Sequence, residues 1–144
     1  MAKNFKQGYY TPKNPDKYVG DVNKIRYMSS WELELHKFFD GNPNVIRWAS
    51  EEIAIPYFLA LDGRMHTYYP DYWVEYRNSK GDIIQELIEC KPRAQTRSPR
   101  GKGKHNLYEQ ATYVKNQCKW QAAEEWCRQR NIRFRIVTEK SIFR

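Results

Sequence analysis

Residues 45–91 break into short runs rich in β-branched and aromatic side chains: VIRWA, IAIPYFLAL, MHTYYPDYWVEYR and IIQELIECK. The turn signals Asp62-Gly63 and Asn78-Ser79-Lys80-Gly81-Asp82 separate them, so the stretch reads as an antiparallel meander. A long helical stretch follows, capped by Asn106 with Glu109 three residues on, as in a capping box. Leu107, Ala111, Val114, Cys118, Ala122 and Trp126 form its apolar stripe, and Arg128, Arg130 and Asn131 suit its C-terminal end. Residues 132–138, IRFRIVT, then alternate like a strand. A strand, a long crossover helix and another strand favour a right-handed parallel addition to the sheet. An earlier helix, SSWELELHKFFDG, begins near Ser29 and stops at Asp40-Gly41 and Asn42-Pro43. The expected class is α/β (α+β mixed), a mixed β-sheet flanked by helices.

At 144 residues the chain fits one core. Residues 1–27 lack apolar periodicity and read as a basic extended N-terminal arm whose cations are available to DNA; 28–144 read as a single domain with a basic loop at 92–105. A net charge of +8 beside 15% aromatic residues describes a folded basic protein, for which an anionic partner, most commonly nucleic acid, is expected. Three cysteines without a C-x-x-C pair argue against a disulfide framework, and three scattered histidines against a structural zinc site. No apolar run reaches the ~20 residues needed to span a bilayer, and the start MAKNFKQGYY has no signal-peptide core, so no membrane role is expected.

The segment ELIECKP, residues 86–92, ends a strand with a carboxylate and an ammonium two residues apart. With the preceding turn centred on Lys80, facing residues have numbers that sum to 160, and Asp71 stands opposite Glu89 with β-carbons ~5 Å apart. Lys91 shares that face, while Cys90 turns away with Ile88 and is expected to be buried as a small hydrophobe. Facing like charges destabilise a sheet unless a pKa rises or a cation binds. Oxygen ligands without Cys or His favour Mg²⁺ or Mn²⁺. The bland alternative, rim carboxylates paired with nearby Lys or Arg, stays open at this point.

Pro70-Asp71 followed by Glu89-Cys90-Lys91 resembles the PD-(D/E)-x-K pattern of the restriction-endonuclease-like superfamily, whose core runs α-β-β-β-α-β. The segments YMSSWELELHKFFDGNPNVIRWASE, YYPDYWVEY, IECKPRAQT and VKNQCKWQAAEEWC are more narrowly similar to tailed-phage head-completion nucleases, and more distantly to TnsA-type endonucleases. The resemblance implies Asp71 and Glu89 as metal ligands, Lys91 as the catalytic lysine, Glu32 as a further acidic ligand or a group just behind the ligands, and Gln117 as an active-site amide. Glu32 has a competing structural role, because Ser29-Ser30-Trp31-Glu32 is also a capping box.

Arg93, Arg97, Arg100, Lys102 and Lys104 lie in a window without Asp or Glu, and beside such a motif their expected task is phosphate contact. No base-reading module is present in the pattern. The resemblance therefore implies a Mg²⁺-dependent endodeoxyribonuclease, with Mn²⁺ able to substitute. It would cut double-stranded DNA with little sequence preference, at ends or branches during head completion. Portal or head proteins and a second copy of the chain are the further expected partners; the host cytoplasm during assembly, and the virion, are the expected locations. Two alternatives share the pattern: a non-catalytic DNA-end or portal-binding structural protein, and a transposition- or restriction-type nuclease.

Overall fold

The computed structural model describes residues 7–92, 96, 99 and 104–138, apart from the side chains of 104 and 105. The chain divides into two compact units: the stretch ending at Glu52 with Tyr72–Glu86, and Ile53–Asp71 with the chain from Leu87 onward.

In the first unit, helix α1 (Ser30–Gly41) begins where the Ser29 hydroxyl accepts the Glu32 amide at 3.1 Å, while the Glu32 carboxylate reaches back to the Met28 amide at 2.9 Å. These bonds satisfy donors that a helix start otherwise leaves without partners. The helix buries Leu35, His36, Phe39 and Asp40. Strand β3 (Val45–Ser50) runs antiparallel to β6 (Tyr72–Arg77), with a register shift between Val45 and Arg47. Trp48, wholly buried on β3, is the hub of an aromatic cluster with ring centroids 4.8 Å from Tyr18 and 5.4 Å from His36. Burial lowers the pKa of His36 despite the Arg26 carbonyl that accepts from Nε2 at 2.8 Å. The neutral ring therefore accepts at Nδ1 from the Tyr72 hydroxyl, 2.7 Å away.

The arm is tied to this unit. Strands β1 (Gly8–Tyr9) and β2 (Arg26–Tyr27) pair antiparallel, and Tyr18 bridges to Trp48. Asp40, only 1% exposed, accepts hydrogen bonds from the Tyr10 hydroxyl at 2.6 Å and the amides of Lys13 at 2.7 Å and Asn14 at 3.1 Å. The Lys17 ammonium donates to the carbonyls of Asp40 and Asn42.

In the second unit, β4 (Ile55–Leu59) and β5 (Arg64–Tyr68) form a hairpin turned at Gly63, whose φ of 68° favours glycine. Ile55, Tyr57 and Leu59 point inward and Pro56 and Phe58 outward, the period of a half-buried strand. Helix α2 (Lys104–Gln129) packs on β4 and on β8 (Arg133–Val137). It starts before the expected cap, so Asn106 is a buried residue inside the helix. The buried face is Asn116, Trp120, Ala123 and Cys127; the expected stripe is rotated from it, and Leu107 is 64% exposed. Both sets obey a 3–4 residue spacing, and the bulk of the Trp120 indole decides which one faces inward. At the end Asn131 adopts φ 57° and the Ile132 amide returns to the Cys127 carbonyl at 2.9 Å, closing a Schellman turn.

Strand β7 (Ile83–Cys90) begins in the first unit and ends in the second. The larger sheet has the order β3-β6-β7-β8, while β4 and β5 form a separate two-stranded sheet among the described residues. This corrects the expected meander. Pro70, fully buried between β5 and β6, offers no amide to a continuing ladder, and β6 pairs with β3 instead. Just past β7 the Lys91 amide donates to the carbonyl of Val137 at the end of β8, so these two strands finish side by side as parallel neighbours do. The fold is mixed α/β, a multi-strand mixed sheet with two helices. Apart from the arm strands and the β4–β5 hairpin, its elements follow as α1, β3, β6, β7, α2, β8. Among the described residues no helix is long and apolar enough to cross a membrane.

Burial alone would raise the pKa of Asp40, but the bonds from Tyr10, Lys13 and Asn14 outweigh it and hold the carboxyl below its usual range. Asp40→Ala is expected to destabilise the protein by about 3 kcal/mol at pH 7, because buried donors lose their acceptor. A depressed folded-state pKa contributes stability above the unfolded value of ~4 that is lost as pH falls through the folded one. The gap between variant and parent in urea titrations should therefore narrow only below about pH 4.

Candidate active site

The β6–β7 hairpin turns through Asn78, whose amide donates to the Asp82 carbonyl at 2.9 Å and whose side chain accepts the amides of Lys80 and Asp82. Gly81 takes φ 85° to complete the turn. The side chains of Gln85 and Glu75, a pair whose numbers sum to 160, are hydrogen-bonded at 3.2 Å. Further along, β7 delivers Glu89 and Lys91 to the second unit, where Pro70-Asp71 leads out of β5.

Glu89 is buried, at 6% exposure. One carboxylate oxygen accepts the Tyr68 hydroxyl at 2.6 Å, and the other lies 3.4 Å from the Lys91 ammonium. The Asp71 carboxylate accepts the backbone amide of Cys90 at 2.7 Å, which fixes it against the end of β7. Tyr68 is buried itself, and that burial, then the charges of Glu89 and Asp71, push its hydroxyl pKa far up. The hydroxyl thus stays protonated and donates. Both carboxylates act on this one phenol, which locates them in a common patch with Lys91.

A fourth charged group joins them. Lys119, half-buried on α2, holds its ammonium 5.4 Å from the centre of the Tyr68 ring. Burial lowers its pKa, as do the charges of Lys115 and Lys91, while Glu89 and Asp71 act in the opposite direction. Neither Tyr68 nor Lys119 emerged from the sequence pattern as a site residue. The available signal was position alone: Tyr68 stands three residues before Asp71, and Lys119 one helical turn after Lys115.

Glu32 belongs to the first unit, where its carboxylate serves the start of α1. Gln117 lines a cavity of about 550 Å³ with Thr96, Trp120, Gln121, Ile136 and Thr138. On α2 it flanks the buried face on the side opposite Lys119. Arg93, Arg97, Arg100 and Lys102 lie outside the described residues, as does the side chain of Lys104. Cys90 is half-buried rather than buried and forms no disulfide, since it is the last residue of β7, where the sheet ceases to cover it. Among the described residues no group of three or more His, Cys, Asp or Glu is suited to hold a metal. Asp71 and Glu89 thus offer an all-oxygen pair, the donor type of a hard divalent ion that keeps waters of its own.

Residues 42–139 match the family TnsA-like endonuclease N terminal. The head completion nuclease of Enterobacteria phage T4 is 37% identical over 142 residues, covering 94% of this chain and 92% of that protein. Both similarities run through the elements that carry Asp71, Glu89 and Lys91, and the chain therefore belongs to the TnsA-like endonuclease family, as a nuclease.

Proposed function

We propose that the chain is a metal-dependent DNA endonuclease that hydrolyses phosphodiester bonds of double-stranded DNA with little sequence preference. The observation that carries this reading is the shared patch of Asp71, Glu89 and Lys91, in which both carboxylates act on the Tyr68 hydroxyl and Lys91 stands 3.4 Å from Glu89. Asp71 and Glu89 would hold Mg²⁺, or Mn²⁺ in its place. Such an ion, when bound, polarises the phosphodiester and lowers the pKa of a bound water. Tyr68 keeps Glu89 in one orientation through its hydroxyl. Lys91 is positioned to orient the attacking water or to stabilise negative charge building on the phosphate. The identity to a phage head completion nuclease over nearly the whole chain supports a role as heads are finished, and DNA ends or branches are the substrates proposed for it.

Purified protein should nick or cut linear and circular DNA with Mg²⁺ or Mn²⁺ and cease to do so with EDTA. Asp71→Asn and Glu89→Gln should each slow cleavage at least ~100-fold, about 2.7 kcal/mol of transition-state stabilisation, while the variants stay folded and bind DNA. Parental cutting by both variants would remove the assignment.

Tyr68→Phe tests how Glu89 is oriented. Loss of the hydroxyl leaves a buried carboxylate without its donor and should destabilise the fold by about 2 kcal/mol in thermal melts. Cleavage should fall ~10- to 100-fold in the same variant, the range for a group that orients a ligand. Unchanged melting and cleavage would mean that the contact has no such role.

A further inference from the structure

The nuclease reading gives Lys119 no task, yet its surroundings are unusual for a structural lysine. Its ammonium is half-buried above the Tyr68 ring and makes no ion pair among the described residues. Lys91 and Lys115 are the cations whose charge reaches it, and Asp71 and Glu89 the anions. Glu89 is already engaged by Tyr68 and Lys91, and Asp71 by the Cys90 amide. Lys91 thus lies against Glu89, Lys119 stands over Tyr68, and Lys115 is near enough for its charge to act on Lys119, so an incoming anion would relieve the repulsion among these cations. Lys115 is exposed and one helical turn before Lys119, ~6 Å away along the α2 surface, and both flexible stems have the reach to contact neighbouring phosphates.

We propose that Lys119 and Lys115 form a phosphate-binding rail on α2, Lys119 contacting the phosphate at the carboxylate pair and Lys115 the next one along the same strand. The inference rests on the nuclease reading for the place where the strand is cut. Its own content is which helix residues hold the backbone. The contacts are to phosphate, so they carry no sequence information, in keeping with cleavage of little sequence preference.

The test is duplex binding measured in EDTA over a range of salt, with cleavage measured in Mg²⁺ at saturating DNA. Lys119→Met keeps the stem that covers Tyr68 and removes the charge; Lys119→Arg restores the charge; Lys115→Ala alters an exposed position and leaves the fold intact. Each lost phosphate contact should reduce the slope of log K against log salt by about 0.9, so Lys119→Met and Lys115→Ala should each lose about one and the double variant about two. Lys119→Arg should retain the parental slope, and Lys119→Met should also cut at least ~10-fold more slowly, as expected for a charge acting on the reacting phosphate. A purely structural lysine would shift the melting temperature and leave the slope alone. Parental slopes in Lys119→Met and Lys115→Ala, with Asp71→Asn and Glu89→Gln inactive, would overturn the rail and leave the nuclease standing. Reduced slopes with Asp71→Asn and Glu89→Gln still cutting would support the rail as a phosphate contact and overturn the nuclease site instead.

Discussion

A buried carboxylate at the end of a strand is the constraint on which the site depends. An ionised group removed from water is costly unless hydrogen bonds and opposite charge replace the lost hydration. For Glu89 those replacements are the Tyr68 hydroxyl and the Lys91 ammonium, one on each oxygen. Asp71 meets the same need differently, through the backbone amide of Cys90. Two acids are thereby held close to one phenol although their charges repel. A fold selected only for stability would have little reason to keep such a pair, whereas a site for a cation and a phosphodiester has a direct use for it.

The first unit solves the same problem for a structural end. Asp40 is more deeply buried than Glu89, but its partners are the Tyr10 hydroxyl and two successive backbone amides of the arm. Those amides belong to residues with no regular structure of their own, so the carboxylate serves as the acceptor that the missing secondary structure would have provided. Around it, Trp48, His36, Tyr18 and Tyr72 pack in edge-to-face and tilted ring contacts and supply the apolar contact that secures the arm. An acidic side chain is therefore not by itself a sign of chemistry in this protein; what distinguishes the two is whether the neighbours include a second acid.

Much of this was legible in the sequence wherever local chemistry determines the outcome. Ser29 announced the start of α1, the β-type run IAIPYFLAL announced β4, and Asn78 with Gly81 announced a turn whose register brings Glu75 to Gln85. The strand order was not to be had from pattern alone, which suggested an antiparallel meander where the larger sheet runs β3-β6-β7-β8. Which strands pair depends on where β6 finds a partner, and its partner β3 lies more than twenty residues earlier in the chain. The inward face of α2 was likewise ambiguous, since two stripes share one period and only packing around Trp120 separates them. Tyr68 and Lys119 escaped for a related reason: each is ordinary in its own element, a strand aromatic and a helix lysine, and becomes notable only beside Glu89.

Strand β7 has a further implication for how such a chain tolerates change. Its side chains alternate faces, so the orientation of Glu89 is inherited from the tight turn at Asn78 through Asp82, several residues away. One residue gained or lost in that bend, although exposed and remote from the acids, would rotate the acidic side chain out of its pocket and bring Cys90 in. The length of a surface turn, and not merely the identity of the acids, is thus under the same constraint as the chemistry.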